Sequence, residues 1–271
     1  MHSVAALRRE LSVRGQQIAT ANGSAHELTP GEVPSVIFGH DENRPHGNFH
    51  PASYRNICAN PAWARRLGKV HTASRKPSPA TGRRWMELDC ANSSDALLMN
   101  IFCYKRTLRN PALAALLGIE IGTVPAFGFR PAIPLRDGKV DRTEVDLRLG
   151  TLLAEAKLTE TDLQTAPLRM VERYRDFDEV FESDRLRRHA GVISSYQLIR
   201  GALAAHTTGS SYCVFCDARR PDLIEQWYAV MSAVRCCTLR CRLKLLTWQE
   251  LTTAVPISLQ RFLAMKYGIA S

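Results

Sequence analysis

Three side chains between positions 146 and 157 could together bind a divalent cation and assist a hydrolysis. They are Asp146, Glu155 and Lys157. Carboxylate oxygens are the ligands that hard cations such as Mg2+ prefer, and bound Mg2+ keeps several waters that a phosphate group can displace. An ammonium group beside such a site can offset negative charge that develops in a transition state. These residue types therefore indicate metal-dependent chemistry on a phosphate.

Two short runs of sequence carry these residues and predict an acidic β-hairpin. Residues 144–149 alternate charged and apolar side chains, which is the period of a half-buried strand, and residues 152–158 can form a second strand. Gly150 and Thr151 lie between the runs. Because glycine at the first central position suits a type II′ two-residue turn, we expect the turn there. A hairpin whose polar face is merely solvated would show the same alternation.

The predicted turn fixes which residues face each other across the hairpin. Counting outward from it places Asp146 opposite Glu155 and Glu144 opposite Lys157, with all four side chains on one face. Like charges directly opposite each other are destabilising, so an Asp–Glu pair needs a compensating cation. The register therefore predicts that a metal ion lies between Asp146 and Glu155.

The run of Asp146 followed by Glu155-Ala156-Lys157 resembles the signature of the PD-(D/E)XK nuclease superfamily, with Val145 in place of the usual proline. The restriction endonuclease-like members of that superfamily cleave phosphodiesters with Mg2+. The resemblance covers about residues 85–250. It implies an α/β fold with a restriction endonuclease-like core, in which helices flank a central mixed β-sheet. We expect a basic, partly irregular N-terminal region over residues 1–84, with DNA contacts, and the nuclease-like core over residues 85–271.

The resemblance also implies roles for individual residues. Asp146 and Glu155 would hold Mg2+, for which Mn2+ can substitute, together with the carbonyl of Ala156. Lys157 would orient or deprotonate the attacking water. Gln197 matches the glutamine-bearing helix that follows the E-x-K strand in this superfamily, and would steady the nucleophile. A further carboxylate often joins the site from an upstream helix, and the spacing does not choose among Glu87, Asp89 and Asp95.

Charge predicts an anionic partner. The formal net charge is +10 and the sequence pI is about 9.4, with both ends of the chain basic and the middle slightly acidic. We expect the partner to be nucleic acid, in the form of DNA, and a homodimer because cutting both strands commonly uses two active sites. The predicted phosphate contacts are Arg65, Arg66, Lys69, Arg75, Lys76 and Arg200. A basic loop that serves only solubility would have the same composition over residues 62–84.

Two alternatives remain open from the sequence. One is a catalytically inactive nucleic-acid-binding module on a nuclease fold, which the intact Asp, Glu and Lys set disfavours. The other is a zinc site. The cysteine spacing fits zinc, but residues three apart on a strand point to opposite faces, and the histidines lack a completing ligand pattern. The zinc candidates are Cys213, Cys216, Cys236, Cys237, Cys241, His40, His46 and His50.

The remaining pattern is typical of alternating helices and strands. We expect helices over residues 4–19, 92–105, 163–186, 195–208 and 221–233, strands over 211–217 and 239–246, and irregular structure over 22–50. No apolar run approaches the roughly 20 residues of a membrane span. Charges interrupt the first 15 residues where a signal peptide would be apolar. We therefore expect a cytoplasmic protein with its cysteines as thiols.

Overall fold

The chain folds into two compact units. The structure is a computed structural model that describes residues 4–39, 46–71, 82, 84–160 and 163–270. We call Met1–Gly122 together with Trp248–Ser271 the terminal unit, and Thr123–Thr247 the central unit. The predicted boundary between residues 84 and 85, between a DNA-contacting region and a nuclease-like core, stays a prediction.

The terminal unit is mainly helical. In chain order its first part contains α1 (Val4–Asn22), β1 (His26–Leu28), β2 (Val36–Phe38), α2 (Pro51–Ala59), α3 (Pro61–Ala64), α4 (Ser94–Phe102), α5 (Lys105–Leu108) and α6 (Pro111–Leu117), with 3₁₀ turns at Arg65–Gly68 and Glu87–Asp89.

Two predictions for this region are tested by these elements. The expectation of irregular structure over residues 22–50 was wrong in part, because β1 and β2 pair antiparallel within it. The predicted helix after Ser93 is confirmed as α4, and the Ser93 hydroxyl accepts a hydrogen bond from the Ala96 N–H.

Buried asparagines explain why the residues after 84 belong to the terminal unit. Asn48 donates two hydrogen bonds from its amide, to the carbonyls of Leu88 and Cys90. Asn100, on α4, accepts from the His50 N–H and donates to the Asn48 carbonyl. Both asparagines are buried, and buried polar groups are costly unless such bonds are made. The network therefore ties residues 85–102 to the segment around Asn48.

The central unit is built on a mixed β-sheet. Its strands are β3 (Ala126–Phe129), β4 (Ile133–Pro134), β5 (Val140–Asp141), β6 (Val145–Leu149), β7 (Leu152–Ala156), β8 (Thr165–Pro167), β9 (Arg188–His189), β10 (Val192–Ser194), β11 (Ser211–Cys216) and β12 (Leu243–Thr247). Its helices are α7 (Leu168–Val171), α8 (Phe177–Val180), α9 (Tyr196–Thr208), α10 (Pro221–Ser232) and α11 (Cys237–Arg240), with a 3₁₀ turn at Ser183–Arg185.

Five strands form the main sheet, in the order β12-β11-β7-β6-β3. β3, β6 and β7 are antiparallel neighbours, whereas β7, β11 and β12 run parallel. Parallel strands are buried and need crossover connections, which are usually helical. α9 connects β7 to β11 in this way and α10 connects β11 to β12, and both helices pack against the sheet. This five-stranded mixed sheet with flanking helices confirms the predicted α/β fold class.

The acidic hairpin has the predicted turn and register. β6 ends at Leu149, β7 begins at Leu152, and Gly150 has the positive φ of +57° that its turn position requires. The pairs are Leu149 with Leu152, Arg148 with Leu153 and Leu147 with Ala154. Continuing this register by one pair sets Asp146 opposite Glu155.

The predicted single helix over residues 163–186 was wrong. The segment instead contains β8, two four-residue helical turns, α7 and α8, and a 3₁₀ turn. Backbone contacts with other segments prevent a continuous helix. Leu135 forms an isolated β-bridge with Tyr174, and Phe181 forms one with Val234. The Arg136 N–H also donates a hydrogen bond to the Arg173 carbonyl. The apolar side chains of the segment are nevertheless buried in the core of the central unit. The spacing therefore predicted burial correctly but not the backbone conformation.

The other late elements follow the predicted order. α9 begins after Ser195 and ends at Gly209, and β11 and α10 occupy the expected segments. The strand expected over residues 239–246 begins only at Leu243, because residues 237–240 form the helical turn α11. The terminal unit is completed by α12 (Trp248–Thr253) and α13 (Ile257–Tyr267).

None of the helices in the described part of the chain has both the length and the apolar character that crossing a membrane would require.

Candidate active site

Three of the predicted site residues meet at one carboxylate oxygen. The Lys157 ammonium donates a hydrogen bond to Glu155 Oε1 at 2.8 Å. The side-chain amide of Gln197, from the first turn of α9, donates to the same oxygen. Glu155 is 1% exposed and Lys157 is 6% exposed. A buried ion pair of this kind needs further hydrogen bonds to offset its desolvation, and Gln197 supplies one.

The fourth predicted residue, Asp146, lies across the hairpin from this group. Its Oδ2 accepts a hydrogen bond of 2.8 Å from the Ala156 backbone N–H, the residue between Glu155 and Lys157. This bond ties the aspartate of β6 to the end of β7. The structure therefore brings Asp146, Glu155, Lys157 and Gln197 together, and their catalytic roles stay a prediction. The role of the Ala156 carbonyl as a metal ligand stays a prediction.

The site has more carboxylate than ammonium charge. Burial alone would lower the pKa of Lys157, but the negative charges of Glu155, Glu160 and Asp146 outweigh it and raise that pKa above its ordinary value. The carboxyl of Glu160 accepts a hydrogen bond from the Leu158 N–H. Glu160 was not singled out from the sequence, although it closes the same acidic run. Lys157 is thus held as a cation among three carboxylates.

The start of α9 is fixed by an unusual backbone arrangement. The Tyr196 N–H donates to the Gln164 carbonyl, and the Gln197 N–H donates to the Leu163 carbonyl. Gln164 and Ser195, the residue before α9, have φ of +60° and +61°. A non-glycine residue in this region costs on the order of 1–3 kcal/mol and persists only where surrounding contacts hold it. These contacts determine where Gln197 enters the site.

A glycine inside α9 lets the helix approach the sheet closely. A Cβ atom at Gly201 would lie 2.1 Å from Cζ of Tyr212, on β11. Tyr212 is fully buried, and burial together with the charges of Glu155 and Asp146 raises its pKa well above the ordinary value. Gly201 lies one helical turn after Gln197, so this contact sets the height of Gln197 above the sheet. The signal in the sequence was an isolated glycine within a helical pattern, which usually has a packing reason.

The carboxylates fit Mg2+ better than zinc. Within the ranges that the structure describes, no group of three or more His, Cys, Asp or Glu side chains is arranged to hold a metal ion. Protein zinc sites commonly use three or four such ligands. Mg2+ binds through one or two carboxylates and takes its other ligands from water and substrate phosphates. Two facing carboxylates with one lysine therefore suit Mg2+ in charge and in ligand type.

The zinc candidates have other environments in the structure. Cys213 and Cys216 are buried thiols of β11, and Cys236, Cys237 and Cys241 are also free cysteines. His46 makes a hydrogen bond to Asp89 at 3.1 Å, and His50 caps α2 by accepting from the Ala52 N–H. His40 lies outside the described residues.

The upstream acids all belong to the terminal unit. Oδ2 of Asp95 accepts hydrogen bonds from Arg66 at 2.9 Å and from Lys69 at 2.7 Å. The buried carboxyl of Asp89 contacts His46, and Glu87 begins a 3₁₀ turn. Two of the predicted phosphate contacts, Arg66 and Lys69, are therefore engaged with Asp95, one of the three candidates for a third carboxylate.

The other predicted phosphate contacts differ in exposure. Arg65 is exposed in the 3₁₀ turn Arg65–Gly68, whereas Arg75 and Lys76 lie outside the described residues. Arg200 is buried, and its guanidinium carbon lies 5.8 Å from the ring centroid of Tyr196. Among the described residues its side chain makes no hydrogen bond. Arg200 therefore offers positive charge beside the first turn of α9.

One family model matches nearly the whole chain. Its description is Restriction Endonuclease associating with ARP, and it matches residues 9–268. The chain belongs to this family, which confirms the resemblance to restriction endonuclease-like proteins and indicates a nuclease. No curated protein and no solved structure gives a significant match to the chain.

Proposed function

We propose that this family member is a Mg2+-dependent endonuclease that hydrolyses phosphodiester bonds of DNA. One observation carries the proposal: Asp146 and Glu155 face each other on a hairpin, while Lys157 and Gln197 both contact Glu155. A pure binding module would have no use for carboxylates next to the phosphates it must attract. A role in restriction or another form of defence is an extension of the same proposal from the family.

The metal and the residues have separate tasks in this proposal. When bound, Mg2+ polarises the phosphodiester and lowers the pKa of the attacking water. Asp146 and Glu155 supply its protein oxygens, with the Ala156 carbonyl as a third. The Lys157 ammonium offsets negative charge that develops on the phosphate oxygens, and it does so without reorganisation because Glu155 already holds it in place. Gln197 fixes the orientation of Glu155 through its amide.

Charge outside the hairpin supports nucleic acid as the substrate. The formal net charge of +10 favours a polyanion, and electrostatic attraction to phosphates supplies most of the non-specific affinity of such proteins. Arg65 remains a candidate phosphate contact, together with Arg75 and Lys76, and Arg200 can place positive charge near Gln197. A homodimer would present two sites to the two strands of a duplex.

A cleavage assay with matched variants tests the proposal. Supercoiled plasmid is incubated with the protein in Mg2+, Mn2+ or EDTA. We expect nicking with either metal and none in EDTA. Asp146→Asn and Glu155→Gln should abolish it while DNA binding in a gel-shift assay is retained. Asp184→Asn is the control, since Asp184 is an exposed acid of the central unit that lies away from the hairpin carboxylates in sequence.

Metal binding gives a second readout that does not depend on activity. Mg2+ at 100 times its Kd should stabilise the wild type by about 2.7 kcal/mol, which thermal unfolding detects. Asp146→Asn and Glu155→Gln should lose this shift, whereas Asp184→Asn should keep it. A gel shift without cleavage in any metal would instead support the inactive binding module, and full activity of either site variant would overturn the assignment.

A further inference from the structure

The central unit contains a cavity of about 370 Å³ whose lining is close in sequence to the proposed site. Tyr196 lines it, and the next residue, Gln197, contacts Glu155. Asp141 also lines it, at the end of the strand that precedes β6. The lining of the cavity therefore includes the residue that precedes Gln197 and a residue shortly before Asp146 in the chain. We call it the basic cavity for the cations at its rim.

Hydrogen bonds hold the floor of the basic cavity. The Tyr174 hydroxyl donates to Asp141 Oδ2 at 2.6 Å, and the hydroxyl oxygens of Tyr174 and Tyr196 are 2.9 Å apart. Because Tyr174 gives its single proton to Asp141, Tyr196 donates to Tyr174. The backbone N–H and hydroxyl of Thr143 donate to the other oxygen of Asp141.

The negative charge of Asp141 is compensated within the protein. Burial alone would raise its pKa, but the hydrogen bonds from Thr143 and Tyr174 and the charge of Arg200 outweigh that effect and lower it. Burial and the hydrogen bond to Asp141 raise the pKa of Tyr174, so its hydroxyl stays protonated. The floor therefore carries one stabilised negative charge, which the Arg and Lys side chains that line the cavity outnumber.

The rim carries exposed cations with few acidic partners. Arg142 makes no hydrogen bond or ion pair with any residue that the structure describes. The hydrogen bond of Arg173 is to the Met170 sulfur at 3.7 Å, and Lys139 pairs with Asp137 at 3.4 Å. Two guanidinium groups thus face the basic cavity without a carboxylate hydrogen-bonded to them.

Positive charge continues beyond the basic cavity. A second cavity, of about 220 Å³, shares Arg173 with the first and is lined also by Arg136 and Arg169. Across the two cavities Arg and Lys outnumber Asp and Glu. Arg136 is paired with Asp178, whereas Arg169 has no partner among the described residues. The cations therefore form a track rather than an isolated point.

Such a track suits a phosphodiester backbone. Guanidinium groups bind phosphate through two parallel hydrogen bonds, and much of any protein–DNA interface consists of phosphate contacts that set position. Arg66 and Lys69 in the terminal unit already bond to Asp95, so Arg142 and Arg173 are better placed to accept a new anion.

We propose that the basic cavity binds a backbone phosphate of the DNA strand that flanks the bond cleaved at the acidic hairpin, with Arg142 and Arg173 as its ligands. This inference rests on the proposed function, which identifies the bound strand as the DNA strand that is cleaved at the acidic hairpin. A free nucleotide would offer the same phosphate chemistry, and the test separates the two sources.

Equilibrium binding in EDTA isolates this contact from cleavage. Anisotropy of a fluorescein-labelled DNA duplex is measured over a series of salt concentrations for the wild type and for Arg142→Ala/Arg173→Ala. Contact with one phosphate contributes about −0.9 to the slope of log K against log salt. Losing that contact therefore makes the slope less steep by about the same amount. We expect weaker binding of every DNA sequence tested and a slope less steep by roughly 1 for the double variant, since both arginines contact the same phosphate.

Two further variants serve as matched controls. Arg188→Ala removes an exposed arginine of the same unit that lines neither cavity and pairs with Asp184, so its affinity and slope should equal those of the wild type. Arg142→Lys/Arg173→Lys keeps the charge but loses the bidentate geometry. It should keep the slope and lose part of the affinity. Circular dichroism verifies that each variant is folded.

Four results of these measurements distinguish the inference from the proposed function. An unchanged affinity and slope in the alanine double variant, while the wild type binds and cleaves, overturns this inference and leaves the proposed function intact. Arginine-dependent binding without cleavage in any metal supports the inference and removes the proposed function. Binding of thymidine monophosphate that the double variant loses, with DNA binding unchanged, assigns the cavity to a free nucleotide and overturns it. A wild type that binds no DNA overturns both.

Discussion

Lys157 and Lys266 are both buried, at 6% and 1% exposure, yet their surroundings shift their pKa values in opposite directions. Lys157 lies among Glu155, Glu160 and Asp146, which raise its pKa despite its burial. Lys266, on α13 of the terminal unit, lies 4.5 Å from the ring centroid of Phe38 and 5.3 Å from that of Tyr267. Burial lowers its pKa to about 7, and the Cys90 thiol opposes this only in part.

The difference shows what keeps a buried lysine charged. Removing an ion from water is costly, and a lysine stays charged inside a protein only where carboxylates face it. The carboxylates around Lys157 exceed what one ammonium can neutralise, so that site can still take a cation. Lys266 has aromatic faces instead, which favour its protonated form only weakly. The comparison predicts that the two lysines respond differently to replacement, metal and pH.

The largest expected effect is that of Lys157→Met. The variant leaves Glu155 buried without its cation, and breaking a buried ion pair in this way costs about 3–5 kcal/mol. We expect a loss of that size in urea unfolding, together with loss of metal-dependent cleavage. Because Mg2+ can replace the missing positive charge, it should stabilise Lys157→Met more than it stabilises the wild type.

The double variant Glu155→Gln/Lys157→Met is the control for this prediction. With no buried carboxylate left at position 155, it should recover part of the lost stability but no activity. A Lys157→Met protein as stable as the wild type in the absence of metal would show that Glu155 does not depend on this lysine.

A smaller effect is expected from Gly201→Ala, which acts on the other partner of Glu155. The added Cβ would collide with the buried ring of Tyr212, and overpacking a core typically costs about 1–3 kcal/mol. The gain in helix propensity, about 1 kcal/mol, offsets part of this. α9 should move away from the sheet and carry Gln197 with it, so we expect kcat to fall more than KM rises.

Tyr212→Leu tests whether the collision is the cause. The double variant Gly201→Ala/Tyr212→Leu should be more stable than the sum of the two single effects allows, because the shorter side chain makes room for the methyl group. If the losses of stability in the two single variants simply add in the double variant, the contact between Gly201 and Tyr212 does not set the distance of α9 from the sheet.

Local sequence patterns predicted the turn and the register of the acidic hairpin. The alternation around Asp146 and the glycine turn at Gly150 set the register without help from distant residues, and the structure has that register. The contact of Gln197 with Glu155 depended on the resemblance to the nuclease superfamily, since no local pattern places a helix over a strand. Fold class followed from the order of helices and strands.

Features decided by long-range packing could not be predicted in this way. The segment that contains Tyr174 and Phe181 has helical spacing, but its pairing with Leu135 and Val234 prevents a continuous helix. The extent of the terminal unit depends on hydrogen bonds between Asn48 and residues 40 or more positions away. Lys266 sits in a stretch with no local sign that its ammonium would be buried.

The pH dependence of stability completes the comparison, and its effect on cleavage should be the smallest. An unfolded lysine has its pKa near 10.5, whereas that of Lys266 in the folded protein is about 7. Between these values the unfolded state binds more protons, so this residue makes the free energy of unfolding rise with pH. The slope is about 1.4 kcal/mol per pH unit once the folded group has lost its proton. Burial raises the pKa of the neighbouring Cys90 and Tyr267 above their ordinary values.

Lys266→Met should remove that slope and keep cleavage intact. At pH 7 the variant should be more stable than the wild type, because it buries no ionisable group against Phe38. From pH 7 to 9 the difference in free energy of unfolding between the variant and the wild type should shrink. The rate of this change should approach about 1.4 kcal/mol per pH unit as the wild-type lysine becomes fully deprotonated. Urea unfolding of both proteins at half-unit intervals measures the difference, in which the titration of all other groups cancels. A constant difference across this range would mean that Lys266 stays charged in the folded protein, as Lys157 does.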